Sequence, residues 1–449
     1  MGSRKLIHFS PARTILISMV LIILTGTLLL ALPLARTCPI PFIDLFFTAT
    51  SATCVTGLFT IPLNDFTFFG HCIILALIQI GGIGLITLTV FFISLFVNLG
   101  LAVQLMTGQL LDIAQWKNVK KIVLFIILLT VITELVGAFL TFIAIRNDYN
   151  LGQGIFLSIF HSISSFCCAG ISLFPHGMQN YNHNYLMLIT TIGLILIGSL
   201  GFLTWKELIS YWIARTKKQR HQLSLTTKII LYGSLGITTF STLLFFVLER
   251  NNTLASLGNP ILMMLNALFQ GLAFRGVGFI VFNVWQVYLV TLFLAMIYAF
   301  IGFASGSTGS GIKINTFVVF LATIRTAITG RTSVEIKERT IPLDQVYRAI
   351  AIIFLGIGWI LLTTFCLLIS ERYSSFFPLF FEATSAFANL GISTGLTGGL
   401  TLLGKFMIII TMIVGRIGSL TLIFALRKQA LWKKAEAEFS YPEERVMLG

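Results

Sequence analysis

The sequence predicts an all-α polytopic membrane protein: four helix–pore-half-helix–helix repeats around a central pore with pseudo-fourfold symmetry. Three observations predict it. The composition is strongly apolar, basic clusters alternate with apolar segments along the chain, and a glycine-bearing turn recurs at nearly constant spacing.

Of 449 residues, 56% are hydrophobic and 10% charged, and the mean hydropathy is +0.95. A soluble domain carries roughly 25% charged residues. Stretches of about 20 apolar residues, each able to cross roughly 30 Å of hydrocarbon, recur from end to end. The first, at 15–34, is too long for the apolar region of a cleaved signal and reads as a membrane helix. The net charge is +14, and 22 of the 30 Lys and Arg fall in five clusters, at 4–13, 117–121, 206–228, 325–348 and 427–445. Long apolar segments separate them. This is the positive-inside pattern, which puts all five clusters and both termini in the cytoplasm; a nucleic-acid partner is not expected. The six cysteines (38, 54, 72, 167, 168 and 366) show neither metal spacing nor a disulfide framework, and the six histidines are scattered singly. With no carboxylate pair, nucleophile–base set or metal cluster at membrane depth, an enzyme is disfavoured.

The repeats follow in order. Outward helices are expected near 13–34, 119–146, 226–249 and 345–370. Half-helices are expected near 43–53, 153–166, 260–274 and 375–388, and returning helices near 70–97, 184–213, 284–330 and 400–427. Repeat boundaries fall at 1–98, 99–216, 217–333 and 334–428, with a cytoplasmic tail at 429–449. Each half-helix runs into a turn: Ser51-Ala-Thr-Cys-Val-Thr-Gly57, Ser164-Ser-Phe-Cys-Cys-Ala-Gly170, Gly271-Leu-Ala-Phe-Arg-Gly-Val-Gly278 and Ser385-Ala-Phe-Ala-Asn-Leu-Gly391. The four final glycines stand 113, 108 and 113 residues apart, an internal period that outweighs any single motif. Each returning helix carries a second glycine pair, Gly81/Gly84, Gly198/Gly201, Gly306/Gly309 and Gly415/Gly418, whose last members follow the turn glycines by 27, 31, 31 and 27 residues. Packing between membrane helices would account for the first two pairs, but not for the common offset.

A helix of about 11 residues cannot span a bilayer, so each half-helix enters and leaves on one side. Unpaired backbone at membrane depth is tolerated only inside protein or beside water. Four such elements therefore imply an aqueous cavity. Half-helices dipping in from outside aim their partially negative C-terminal ends at it, and rings of turn carbonyls can replace the hydration shell of a monovalent cation. The candidate filter residues are Val55, Thr56 and Gly57; Cys168, Ala169 and Gly170; Gly276, Val277 and Gly278; and Asn389, Leu390 and Gly391. Segment 302–313 interrupts the third returning helix, and from Ser305 to Gly311 every residue is Ser, Thr or Gly. Its glycines and Lys313 fit a phosphate-binding loop poorly, because Ile312 breaks the motif and no strand precedes it. The remaining readings are an intramembrane loop beneath the turns or a kinked structural helix. Arg416, amid apolar residues, is expected to face the pore rather than snorkel, raising the barrier to cations or pairing with loop carbonyls. Glu134 reads as a buried structural acid. Asp44, His161, Gln270 and Glu382 are expected to cap the half-helix starts, with Asp44 and Glu382 also placed to attract cations.

These motifs resemble the Trk/Ktr/HKT superfamily of potassium transporters over essentially the whole chain. The most specific pieces are Thr53-Cys-Val-Thr-Gly57-Leu58, Gln79-Ile-Gly-Gly-Ile-Gly84, segment 302–313 and Gly415-Arg416-Ile-Gly418. The compact start and Tyr441-Pro442-Glu443 resemble the Ktr-type membrane subunit. The resemblance implies potassium uptake across the cell membrane, passive or sodium-dependent, with potassium as substrate and no cofactor. It implies a gate built of Gly302, Ser305, Gly306, Ser307, Thr308, Gly309, Ser310, Gly311, Lys313 and Arg416. It also implies a homodimer on a separate cytosolic nucleotide-binding ring. An all-glycine filter implies potassium preference in this family. The sequence departs from the family at Cys167-Cys168, at Phe274-Arg275-Gly276 and at Asn389, which bears on strict selectivity. The alternatives are a coupled cation/potassium symporter using Glu134 or other polar groups, and a less selective sodium/potassium channel.

Overall fold

The computed structural model describes residues 11–84, 119–219 and 222–426. The expected tail at 429–449, with Tyr441-Pro442-Glu443, and the expected extension of the first returning helix to residue 97 lie outside the described residues.

Four long helices, α1 (Pro11–Leu30), α4 (Val119–Ile145), α8 (Leu225–Glu249) and α12 (Leu343–Ser370), are long and apolar enough to cross a membrane. Their outer faces are bare hydrocarbon: Leu28, Leu135, Leu235 and Phe354, one on each helix, are all more than 60% exposed. A surface of that area and character is stable only against lipid. The helix α1 stops short of the expected residue 34 because Pro33 starts a 3-10 turn, Pro33–Ala35.

Each long helix is followed by a short one: α2 (Phe42–Cys54), α5 (Leu151–Phe166), α9 (Pro260–Ala273) and α13 (Phe376–Ala388). These match the expected half-helices to within two residues at each end. Each then meets a turn and a further helix: α3 (Phe68–Ile83), α6 (Tyr185–Ser199), α10 (Leu289–Phe300) and α14 (Leu402–Ile417). The third begins later than expected, after a 3-10 turn at Val284–Gln286 that Asn283 caps.

Three of these helices are broken rather than continuous. The chain bends by 95° between α6 and α7 (Phe202–Thr216), a loop separates α10 from α11 (Ile314–Thr329), and Gly418 separates α14 from α15 (Ser419–Leu426). Gly84, Gly201 and Gly418 share one backbone conformation, with φ of 94°, 86° and 90° and ψ of 129°, 138° and 133°. The third pair departs from the other three: it falls in segment 302–313, where Gly306 is left-handed (φ 71°) and Gly309 is not. Three residues earlier, Gly81, Gly198 and Gly415 let the returning helix lie against a carbonyl in the last turn of a short helix, those of Thr53, Phe166 and Phe387 respectively. A methyl group at any of the three would collide with that carbonyl.

The packing order is cyclic. The helix α3 packs on α5, α6 on α9, α10 on α13, and α14 on α2. The end of the described chain thereby meets its beginning, and the four turns are brought to one place. Between α11 and α12 a two-stranded hairpin, β1 (Glu335–Ile336) and β2 (Arg339–Thr340), is seated by Val334, Ile341 and Val346.

Candidate functional site

The four turns touch one another in a ring. A Cβ placed on Gly57 would meet the Ala169 carbonyl, one on Gly170 the Val277 carbonyl, one on Gly278 the Leu390 carbonyl, and one on Gly391 the Thr56 carbonyl. In every case the glycine faces the carbonyl of the residue just before the glycine of another turn, and the fourth contact returns to the first turn. All twelve sequence-predicted turn residues are therefore brought together.

Their backbones are also alike. The glycines have φ of 91°, 65°, 83° and 79°, and two residues earlier Val55, Cys168, Gly276 and Asn389 have φ of 58°, 58°, 115° and 53°. A left-handed conformation is rare for Val, whose β-branch makes it a genuine outlier, and such strain persists only where the surroundings over-determine it. Those surroundings are identifiable. Six residues before three of the glycines stands a buried serine. The Ser51 hydroxyl accepts from the Gly57 N–H (3.1 Å), while Ser164 and Ser385 donate to the carbonyls of Ile171 (2.6 Å) and Ile392 (2.7 Å). The third turn has Leu272 at that position, and Gln270 substitutes, donating to the Phe279 carbonyl (3.5 Å) and accepting from the Val281 N–H (3.3 Å). In each turn the glycine is accessible while the two residues before it are buried.

The buried side chains of the turns point back into the protein. Cys167 lies against Gly82, with Sγ 3.8 Å from Gln79 Oε1, and the Thr308 hydroxyl lies 3.5 Å from Cys168 Sγ. Gln79 also donates to Glu134 Oε2 (3.0 Å), so one carboxylate oxygen of this buried acid is held by an amide and the other, Oε1, has no hydrogen-bond partner among the described residues.

Beneath the turns, segment 302–313 is a closed loop. The Gly302 N–H donates to Ile312 O (2.9 Å) and the Ile312 N–H to Phe300 O (3.1 Å). The loop sits in the bend of α6–α7: Thr308 N donates to Gly198 O (3.2 Å), Ala304 N to Ser199 O (3.3 Å), and Phe202 N to Gly306 O (3.0 Å). Breaking a membrane helix frees backbone groups that require partners, and the loop supplies them. Arg416 reaches across from α14 to the loop. Its Nη1 donates to Thr308 O (2.6 Å) and Ser310 Oγ (2.8 Å), and its Nη2 to Gly81 O. Lys313 folds over the loop onto Gly309 O (2.7 Å). Of the sequence-predicted loop residues, Ser305 and Gly306 are exposed and Thr308, Gly309 and Ser310 buried.

The expected caps are corrected. Asp44 lies in the first turn of α2 but makes no capping bond; it is paired with Lys405 of α14 at 2.6 Å, with both side chains largely buried. His161 and Gln270 lie in the second halves of their helices. Their hydrogen bonds go to Thr191 (2.9 Å) and to the third turn. Glu382 sits midway along α13, where it accepts from Ser393, Thr394 N (3.1 Å) and Thr397 (2.9 Å), bracing the chain after the fourth turn. Periodicity locates a half-helix but not the position of a polar residue along it.

A second buried arginine, named above only as part of a departure from the family pattern, also joins a turn to the loop. Arg275 is 1% exposed. It donates to Thr238 Oγ1 (3.0 Å) and Gly302 O (3.2 Å) and stacks on Phe303 at 4.7 Å, so it ties the third turn to the start of the loop. The signal was the one used for Arg416, a charge inside an apolar run.

A family model described as a cation transport protein, TrkH, matches residues 10–434. Three relatives are aligned over nearly their whole length. Potassium/sodium uptake protein NtpJ of Enterococcus hirae is 31% identical, over 98% of this chain and 98% of its own. The Ktr system potassium uptake proteins B of Bacillus subtilis and Vibrio alginolyticus are 32% and 34% identical, over 99% and 100% of this chain and 98% and 97% of their own. Among solved structures, the potassium transporter TrkH from Vibrio parahaemolyticus shares the fold, with a TM-score of 0.75 over 96% of this chain and 88% of that one, at 19% identity.

Proposed function

We propose that this chain, which belongs to the TrkH family of cation transport proteins, is the ion-conducting subunit of a Ktr-type potassium uptake system. It is a multi-pass membrane protein of a transporter family. The reading adds that its four units, bounded near residues 98, 216, 333 and 428, surround one pore with pseudo-fourfold symmetry, both termini being cytoplasmic.

The observation that carries the reading is the ring of Gly57, Gly170, Gly278 and Gly391, each abutting a carbonyl of another turn. Carbonyl dipoles gathered at the C-terminal ends of four short helices favour a monovalent cation stripped of water. Potassium is the substrate, moving passively or with sodium dependence. Segment 302–313 is the gate, held shut by Arg416. A homodimer on a separate cytosolic nucleotide-binding subunit would open it; the names of the relatives, which belong to a Ktr system, support such a partner. The competing symporter reading rests on Glu134, whose Oε1 is buried without a hydrogen-bond partner among the described residues.

Rubidium and sodium uptake into liposomes holding the purified chain, as wild type and as Arg416→Ala with the loop released, tests the proposal. Conduction predicts rubidium entry down its gradient without a sodium gradient. A symporter predicts entry only when a coupling-ion gradient is applied.

A further inference from the structure

Eight residues occupy the two positions before the ring glycines: Val55 and Thr56, Cys168 and Ala169, Gly276 and Val277, Asn389 and Leu390. Thr56 is the one hydroxyl among them and Asn389 the one amide. The two meet. Asn389 Nδ2 donates to Thr56 Oγ1 (2.7 Å) and to the Cys54 carbonyl (3.0 Å). Both residues are 0% exposed. Among the described residues, these are the two hydrogen bonds by which a turn side chain reaches another turn directly. They lie at the seam where the fourth turn meets the first, which the chain itself does not join in sequence.

The geometry points to Asn389 as a specificity-determining positioning residue, which sets the first turn of the ring through Thr56 without touching the ion. The inference rests on the reading of the four turns as a selectivity filter. The two amide hydrogens are both engaged, Oδ1 being buried without a hydrogen-bond partner among the described residues, and the two bonds orient the Asn389 amide against the side chain of Thr56. The Thr56 carbonyl is the one that faces Gly391 across this seam, so the bond holds a ring carbonyl from behind. Rigid placement matters because selectivity between cations of one charge rests on the number and spacing of carbonyls. Asn also suits the backbone here. It accepts the left-handed conformation (φ 53°) more readily than most residues. Backbone and side-chain roles are therefore combined at one position, and a test must separate them.

Three variants do so. Asn389→Gly keeps the backbone conformation accessible and removes the amide. Thr56→Val removes the acceptor while keeping the shape. Thr56→Ser restores a hydroxyl. Each is purified, reconstituted in liposomes and measured for the rubidium-to-sodium permeability ratio, with total rubidium flux as the record of an intact pore. Thr56→Val should lower the ratio by about threefold to tenfold, roughly the factor one hydrogen bond contributes, and Asn389→Gly, which also loses the bond to the Cys54 carbonyl, by at least as much. Their double variant should fall no further than the more affected single, because both remove the same bond. Thr56→Ser should return the ratio toward that of the wild type. A wild-type ratio in Thr56→Val, or additive losses in the double variant, overturns the inference while leaving the filter in place. A folded Arg416→Ala protein, its loop released, that passes no cation overturns the filter reading and this inference with it.

Discussion

Arg416 and Thr308, 108 positions apart in the chain, are joined by a 2.6 Å hydrogen bond from guanidinium to loop carbonyl. Through the same side chain the loop is bound to Gly81 on α3. One residue therefore holds three elements together: the fourth returning helix, the first returning helix and the loop beneath the turns. A hydrogen bond to a charged group contributes roughly 1.5–3 kcal/mol, and no neutral side chain can replace this set.

Arg416→Ala is accordingly expected to raise basal rubidium flux by about tenfold or more, since it releases the loop and removes a positive charge from a low-dielectric passage. Arg416→Lys, which keeps the charge but not the fork, should fall between the two. Stopped-flow liposome uptake without any partner protein checks this. Unchanged flux in a folded Arg416→Ala protein would place the arginine outside the conduction path.

Gly170 and Gly177 offer a controlled comparison. Both are left-handed, with φ of 65° and 61°, but a Cβ on Gly170 runs into Val277 O and one on Gly177 meets nothing within 4 Å. Each alanine variant carries the conformational cost, roughly 1–2 kcal/mol. Only Gly170→Ala should also lose selective flux. Gly177→Ala should keep wild-type flux with a modest fall in thermal midpoint. Equal loss in both variants would mean that torsion alone, and not the ring contact, makes the glycine necessary.

Cys167 and Cys168 are fully buried behind the second turn, whereas Cys38 is exposed. A small cationic thiol reagent added from outside should label Cys38 and leave flux intact. Mass spectrometry of the labelled protein identifies the modified residue. Labelling of Cys167 or Cys168 with loss of flux, slowed by potassium, would show instead that these thiols line the passage.

The Asp44–Lys405 pair closes the seam between α2 and α14 at the start of α2, at 2.6 Å. Removing one partner leaves a buried charge alone, at a cost of roughly 3–5 kcal/mol when burial is complete. Asp44→Asn and Lys405→Met should each lower the thermal midpoint in detergent, and the double variant should recover most of the loss. Additive losses would indicate that the two charges are not coupled.

Much of this architecture was legible in the sequence because its signals are local or periodic. The turn glycines, the short helices and the second glycine series depend on residue type at fixed intervals, and Arg416 stood out as a charge inside an apolar run. What the sequence concealed is long-range. The role of Gly198 and Gly201 as the seat of the loop depends on contacts about a hundred residues away, as at Thr308. The Asn389–Thr56 bond spans 333 positions and gives no periodic trace. A polar residue in a short apolar helix suggests a terminus, yet Asp44, His161, Gln270 and Glu382 cap none. Here Gln270 and Glu382 brace the chain after a turn, and Asp44 binds a neighbouring helix.

The most direct test of the ring as a selectivity filter is the rubidium-to-sodium permeability ratio of wild type and Gly57→Ser in the same liposome preparation. A Cβ at Gly57 would crowd the Ala169 carbonyl at 2.5 Å, displacing a ring oxygen. The account predicts that wild type prefers rubidium and that Gly57→Ser admits sodium with rubidium flux retained. Equal ratios in two folded, conducting proteins would contradict it.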